Sequence, residues 1–483
     1  MSLAGAKSFH LLGVGGTGMG AFAGLLKQAG FAVRGSDENV YPPMSDKLKE
    51  WGIEARSPYA AKNLDPPVDL VVVGNVIKKD NVEAAAMRER HLDHASFPEA
   101  LGKLFLADRH SVVVAGTHGK TTTTSLIAWV LLKTHRDPGF LVGGIPLGLE
   151  ESFRLGAPGK RSPFVVEGDE YDTAYFDKGP KFLHYQPRSL LCTSLEYDHA
   201  DIYPSVDAII ARFAELLSLV PADGHIVLCA EEPYLMKARA QAPIKARVTT
   251  YGSRGAYDAK NVTENEHGLR FVITLGGGGS GSLMSGFGGD EGEVFLPLSG
   301  RHNVLNALGA YAILMGLGLT HDEIALGFES FPGVKRRMEV RGEAAGITVV
   351  DDFAHHPTAV KTTLDGAKRR YKGRPLWAIF EPRSATSCRK VFQDDYARAF
   401  DAADRVLLAP PGRNLDPAVA LDVPKLAADV TGRGRPATAC ASIDEVVRIA
   451  TKEAPRGAVL MCMSNGGFGG IHEKLLAFLQ ARG

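Results

Sequence analysis

The run Gly116-Thr117-His118-Gly119-Lys120-Thr121-Thr122 constrains this chain more than any other feature. It follows the apolar stretch Ser111-Val112-Val113-Val114 and leads into Ser125-Leu126-Ile127-Ala128-Trp129-Val130. That order predicts a buried strand, a tight glycine loop and a helix. Such a loop aims backbone N–H groups and a helix N-terminus at one spot, which suits phosphate. Gly116, Thr117, His118, Gly119 and Thr122 would line it, with the Lys120 ammonium on the terminal phosphates and the Thr121 hydroxyl on Mg²⁺. A full phosphate-loop pattern wants glycine where Val114 stands, so the match is to a shortened variant.

The chain has 483 residues, room for roughly three ordinary domains. Its 45% apolar and 23% charged content is that of a soluble globular protein. With 55 basic and 55 acidic residues there is no net charge, which argues against bulk nucleic-acid or anionic-membrane binding. No apolar run approaches the roughly eighteen residues that span a bilayer. The first residues lead almost directly into a strand, so no signal peptide is expected. The five cysteines (Cys192, Cys229, Cys388, Cys440, Cys462) are scattered without a Cys-x-x-Cys pair. They predict reduced thiols, a cytoplasmic protein and no zinc site. Nothing in the sequence fixes an oligomeric state.

Three α/β segments are expected, at 1–108, 109–331 and 332–483. The first reads as strand at Phe9–Leu12, helix at Ala21–Ala29 and strands at Phe31–Arg34 and Val68–Val73. Strands spaced by helices imply a parallel sheet covered on both faces. The second carries the phosphate loop and strands at Pro163–Val166 and Ser189–Thr193, each ending in polar residues. The third offers strands at Ile347–Val350, Leu376–Phe380, Arg405–Ala409 and Ala458–Met463. Residues 276–292 are low-complexity and glycine-rich, expected as a mobile loop belonging to no known motif.

Four further constellations could carry chemistry. Gly13-x-Gly15-x-x-Gly18, with Asp37 about twenty residues on, is a dinucleotide fingerprint that alone would predict an NAD-dependent oxidoreductase. More generally it is a helix N-terminus that any pyrophosphate can approach. Glu167-Gly168-Asp169-Glu170-Tyr171-Asp172 gathers carboxylates after a strand, for which a cation is the natural reason. Glu196-Tyr197-Asp198-His199-Ala200-Asp201 follows the next strand and suggests a metal or phosphate contact. Asp351-Asp352-Phe353-Ala354-His355-His356-Pro357 ends a strand and opens a helix, with Arg337 and Arg383 as nearby cations.

Together, and in this order, these motifs with Arg301-His302-Asn303-Val304-Leu305-Asn306 resemble the Mur ligase family of peptidoglycan synthesis and recycling. The resemblance spans nearly the whole chain. It implies a Rossmann-like UDP-sugar domain, a central ATPase domain and a Rossmann-like C-terminal domain for the incoming amine, meeting around one site. It moves the first motif from NAD to the UDP pyrophosphate, cradled by Gly13, Gly15, Gly16, Thr17, Gly18 and Met19, with Asp37 near the uridine. It implies Lys120 on the β/γ-phosphates and Thr121 and Glu167 on a first Mg²⁺. His199 falls on a second metal or the acyl phosphate, and Asn303 on adenine. Arg337 and Asp351 complete the nucleotide site, and Arg383 contacts the acceptor.

Two branches of that family start from UDP-N-acetylmuramate. One adds L-alanine; the other reattaches the murein tripeptide L-alanyl-γ-D-glutamyl-meso-diaminopimelate. The run from Glu167 to Lys178 and Glu381-Pro382-Arg383-Ser384 resemble the second branch, with the L-alanine ligase as the alternative. Several relatives carry a carbamylated lysine about fifteen residues after the Asp-His motif. Here no lysine follows His199 before Lys237, so a second metal needs other ligands.

Overall fold

The computed structural model describes residues 5–200, 202–275 and 292–482. Asp201 and residues 276–291 of the glycine-rich run lie outside them.

The first sheet is five-stranded and wholly parallel, with Ser8–Leu12 at its centre between Ala32–Ser36 and Leu70–Val73. Leu70-Val71-Val72-Val73 is buried at every position, as a strand covered on both faces must be. The helix Thr17–Gln28 lays Phe22, Leu25 and Leu26 on this sheet, the i, i+3, i+4 spacing of one helical face.

The central sheet has ten strands. In its parallel half, His110–Ala115 lies between Ser189–Cys192 and Pro163–Gly168, with Ala115 level with both Cys192 and Gly168. This register sets three polar strand ends side by side: the phosphate loop, the Glu167 run and the Glu196 run. The other half continues into antiparallel strands Tyr257–Asn265, Gly268–Leu275 and Gly292–Leu296, which the sequence pattern did not reveal. The helix Lys120–Lys133 buries residues all round, from Thr122 to Leu131. It is a core helix, roofed by Arg301–Gly316 and His321–Glu329.

The C-terminal sheet has six strands; Glu339–Ala344 is an antiparallel edge, and the rest run parallel. Val350, Phe380 and Met461 pack on one face under Val360, Leu364 and Tyr396. Ile347, Val349 and Leu460 pack on the other under Val446, Ile471 and Leu475. The first two sheets differ from this one in sharing a continuous apolar cluster that runs from Phe9 to Val334. Their seam includes Phe153, whose ring meets Trp51 at 5.0 Å. Lys47 and Trp51 both donate to Glu151 there, at 2.8 and 3.2 Å. The three-part α/β architecture expected from the sequence is the one observed.

Candidate active site

The phosphate loop turns on two glycines. Gly116 (φ +139°) and Gly119 (φ +81°) both occupy the left-handed side of backbone space. A Cβ on Gly116 would also sit 2.9 Å from Ser194 N and O. Gly119 caps the helix without a side-chain bond. Its N–H and those of Lys120, Thr121 and Thr122 have no partner among the described residues. Four free donors at a helix N-terminus are an arrangement that suits an anion. Thr117 and His118, expected on phosphate, face the other way. Their N–H groups go to Ser194 O (3.2 Å) and Ser194 Oγ (2.8 Å). The Thr117 hydroxyl binds the Glu196 backbone and the His118 ring binds the Glu196 carboxylate. Their expected places go to the first-turn N–H groups.

The acidic run, for which a cation is the expected reason, is largely compensated by two lysines. Lys120 Nζ binds Glu170 Oε2 at 2.7 Å and Gly116 O at 2.6 Å. Lys181 Nζ binds Asp169 Oδ2 at 3.1 Å and sits 4.2 Å from the Tyr171 ring. Burial alone would lower the Lys120 pKa, but the charges of Glu170 and Asp169 outweigh it. Glu167 has no such cation in contact. It accepts from Gly143 N (2.6 Å) and the Thr121 hydroxyl (3.0 Å). Burial, with Asp169 nearby, pushes its carboxyl up to about 7. A buried carboxylate without a counter-cation beside a hydroxyl is an oxygen-only donor pair of the kind Mg²⁺ prefers, so these residues fit that ion.

His199 holds a left-handed backbone (φ +53°), rare for a side chain of its size. Its Nε2 lies 3.4 Å from Glu170 Oε1, and its ring lies 5.3 Å from that of Tyr171. Burial would depress this imidazole, but the Glu170 hydrogen bond and the charges of Glu170 and Asp198 carry it to about 9. Glu170 therefore bridges Lys120 and His199, a role its place in the run did not signal.

The third segment closes on these strand ends. His199 N donates to Thr386 Oγ1 (3.2 Å), Thr358 Oγ1 to Glu196 Oε1 (3.0 Å), and Arg369 Nε to Glu264 Oε2 (2.8 Å). Asp351 and Asp352 point to opposite faces of their strand, as neighbours must. Asp351, expected at the nucleotide, is enclosed by Arg336 (3.4 Å), His472 (3.3 Å) and Arg341 (3.8 Å) of its own segment. Asp352 lies on the other face, equally buried. It accepts from Met338 N, Ala354 N and Thr363 Oγ1 and feels the charge of Arg337. Arg337 lies 5.3 Å from the Phe353 ring. Asn303 is buried, with its amide spent on Ser299 O (2.7 Å) and Asn306 (3.0 Å). Asn306, which touches the space over Gly119, is the neighbour the sequence reading passed over. Its signal was the i, i+3 spacing from Asn303. Arg383 lies over Gly412 and Gly466, 3.4 Å from Glu381, with its outer side exposed.

In the first segment Gly13 N, Val14 N and Gly16 N are spent within the loop or on Ser36 O. Gly15 N donates to Asp37 Oδ2 at 2.9 Å. Among the described residues the N–H groups of Thr17, Gly18 and Met19 at the helix start have no partner. The donors left for an anion here are therefore at the helix end, while Asp37 braces the glycines. Among the described residues no helix is long and apolar enough to cross a membrane, and all five cysteines are buried and free.

Comparison with known proteins covers the same three segments. The family model "Mur ligase family, catalytic domain" matches residues 8–109, "Mur ligase middle domain" 114–314 and "Mur ligase, glutamate ligase domain" 336–466. The UDP-N-acetylmuramate–L-alanyl-γ-D-glutamyl-meso-2,6-diaminoheptandioate ligase of Escherichia coli K12 is 38% identical over 469 residues, 97% of each chain. The UDP-N-acetylmuramate–L-alanine ligase of Clostridium acetobutylicum is 32% identical over 474 residues, 98% of each. The crystal structure of a murein peptide ligase from Psychrobacter arcticus superposes with a TM-score of 0.74 at 34% identity, covering 98% of this chain and 99% of that one.

Proposed function

Since this chain belongs to the Mur ligase family, we infer that it is an ATP-dependent, ADP-forming ligase joining L-alanyl-γ-D-glutamyl-meso-diaminopimelate to UDP-N-acetylmuramate. The observation that carries this reading is 38% identity to a ligase of that name over 97% of both chains. Tyr171, half-buried between Lys181 and His199, adds to it. It belongs to the run that resembles the tripeptide branch, whereas the alanine-adding branch usually has serine there.

A carboxylate is a poor acyl donor. The lactyl carboxylate of the sugar therefore takes the γ-phosphoryl group, and the bond from that phosphorus to ADP breaks. The neutral amine of the tripeptide then forms a bond to the acyl carbon, phosphate leaves with the electrons of the C–O bond, and the surplus proton on nitrogen passes to solvent. Catalysis consists mainly of positioning and charge neutralisation. We assign the triphosphate to the free N–H groups of Gly119–Thr122 and to Lys120, which must turn from Glu170 toward it. Mg²⁺, held by Thr121 and Glu167, would supply charge neutralisation at the phosphates. His199, with Glu170 beside it, is assigned to the acyl phosphate or a second ion. Arg337 and the Asn303 turn, with Asp352 in place of Asp351, close the nucleotide site from the junction. Residues 1–108 carry the UDP-sugar on Thr17–Met19, 109–331 the nucleotide, and 332–483 the tripeptide, with Arg383 among its contacts. We place the reaction in the cytoplasm.

The test is phosphate release from ATP with UDP-N-acetylmuramate and Mg²⁺, comparing the tripeptide with L-alanine. Release with the tripeptide alone is expected. Release with alanine alone would move the protein to the biosynthetic branch.

A further inference from the structure

One carboxylate oxygen beside the phosphate loop is approached by two imidazoles from different segments. Glu196 Oε2 lies 2.9 Å from His118 Nε2 and 3.2 Å from His356 Nδ1. The three atoms lie within 4.8 Å of one another. Tetrahedral donors around zinc, at bonds of about 2.0–2.1 Å, stand about 3.3 Å apart. Thr358 N donates to His356 Nδ1 at 3.4 Å, the outer limit of a hydrogen bond, and an ion at that nitrogen would take the lone pair in its place.

The surroundings are built for fixed ligands. Glu196 is held at its backbone N by Thr117 Oγ1 (2.9 Å) and at Oε1 by Thr358 Oγ1 (3.0 Å). His118 is anchored through its backbone by Ser194. His356 is 5% exposed, packs edge-on to Phe392 and leaves its Nε2 buried without a partner. Outer partners that orient ligands, which Glu196 has and the His356 Nε2 lacks, and an apolar wall on one side are what metal sites share. Two nitrogens and one oxygen suit zinc and its neighbours rather than magnesium, which takes oxygen.

We propose that His118, Glu196 and His356 form a zinc-class divalent-metal site, distinct from the Thr121–Glu167 pair, that pins the C-terminal segment to the back of the phosphate loop. It contains no cysteine, so a count of cysteines could not reveal it. The ion would grip His118 on the side away from the free N–H groups of Gly119–Thr122, leaving the phosphate cradle open. The proposal does not rest on the ligase assignment, because binding is read without turnover.

The experiment titrates chelator-stripped, untagged full-length protein with Co²⁺ in a large excess of Mg²⁺ and records the visible ligand-field band. One equivalent, with the intensity of a four-coordinate site and displaced by Zn²⁺, is expected. The band should survive Thr121→Val and vanish in His356→Ala. Thr358→Val, which removes only an outer partner, should weaken Co²⁺ binding by about 10–100-fold; it also serves if His356→Ala fails to fold. Absence of a stoichiometric band in the wild type overturns the proposal. So does a band that Thr358→Val leaves unchanged, or one that is lost with Thr121→Val.

Discussion

Replacing Glu167 by Gln should stabilise the metal-free protein while destroying its activity. The carboxyl sits near 7 instead of its ordinary 4.5 because it is buried, with Asp169 close by. Between those two values the folded protein keeps a proton that the unfolded chain has released. Stability therefore falls as pH rises through that window and stays low above it. The full penalty is at most about 3 kcal/mol. Glutamine keeps the shape. Its carbonyl can take the Gly143 N–H, and its amide can donate to Thr121 Oγ1, so no buried group is orphaned. For a domain of this size that ceiling corresponds to roughly 6–12 °C. The assay is thermal melting of wild type and Glu167→Gln from pH 5 to 8.5 without divalent ions. The variant should match wild type near pH 5 and melt several degrees higher at pH 8. Mg²⁺ with ATP should raise the wild-type midpoint and not the variant's. A variant less stable than wild type at pH 8, or a difference that ignores pH, would refute the account of Glu167 as the uncompensated charge.

Lys120→Ala should lower kcat/KM on the order of 10²–10³-fold and also lower the melting temperature, since Glu170 loses its buried partner. Asp37→Ala removes the brace on Gly15 and should raise KM for the UDP-sugar about ten- to a hundredfold in initial-rate kinetics, with KM for ATP unchanged. Arg383→Ala should raise KM for the tripeptide by a similar factor, read with the other substrates saturating. A rise in KM for ATP instead would remove Arg383 from the acceptor site.

The strands and the loop–helix units were legible because burial on both faces writes near-continuous apolar runs such as Val112–Val114 and Leu70–Val73, ended by glycine or acid. The antiparallel edge at Tyr257–Leu296 was not. Its strands carry mixed, half-exposed residues whose pairing depends on partners far along the chain. At the site, residue types announced themselves, but their directions did not. Motif letters assign Thr117, His118 and Asp351 to the ligand. The first two are turned away by Ser194 and Glu196, and the third by strand alternation. Asn306 reaches the space over Gly119 because its helix packs on the helix that Gly119 caps, which no local pattern records.

The continuous apolar cluster beneath the first two sheets bears on the order of events. The helix end proposed for the UDP-sugar and the N–H groups proposed for the triphosphate belong to two sheets that share one apolar interior, so folding itself brings them together. Activation of the carboxylate thus needs no large rearrangement between those two parts. The unit proposed to carry the acceptor has its own interior and meets the rest through polar contacts such as Thr358–Glu196 and Arg369–Glu264. That unit can be rebuilt for a different amine without disturbing the machinery that prepares the acyl group.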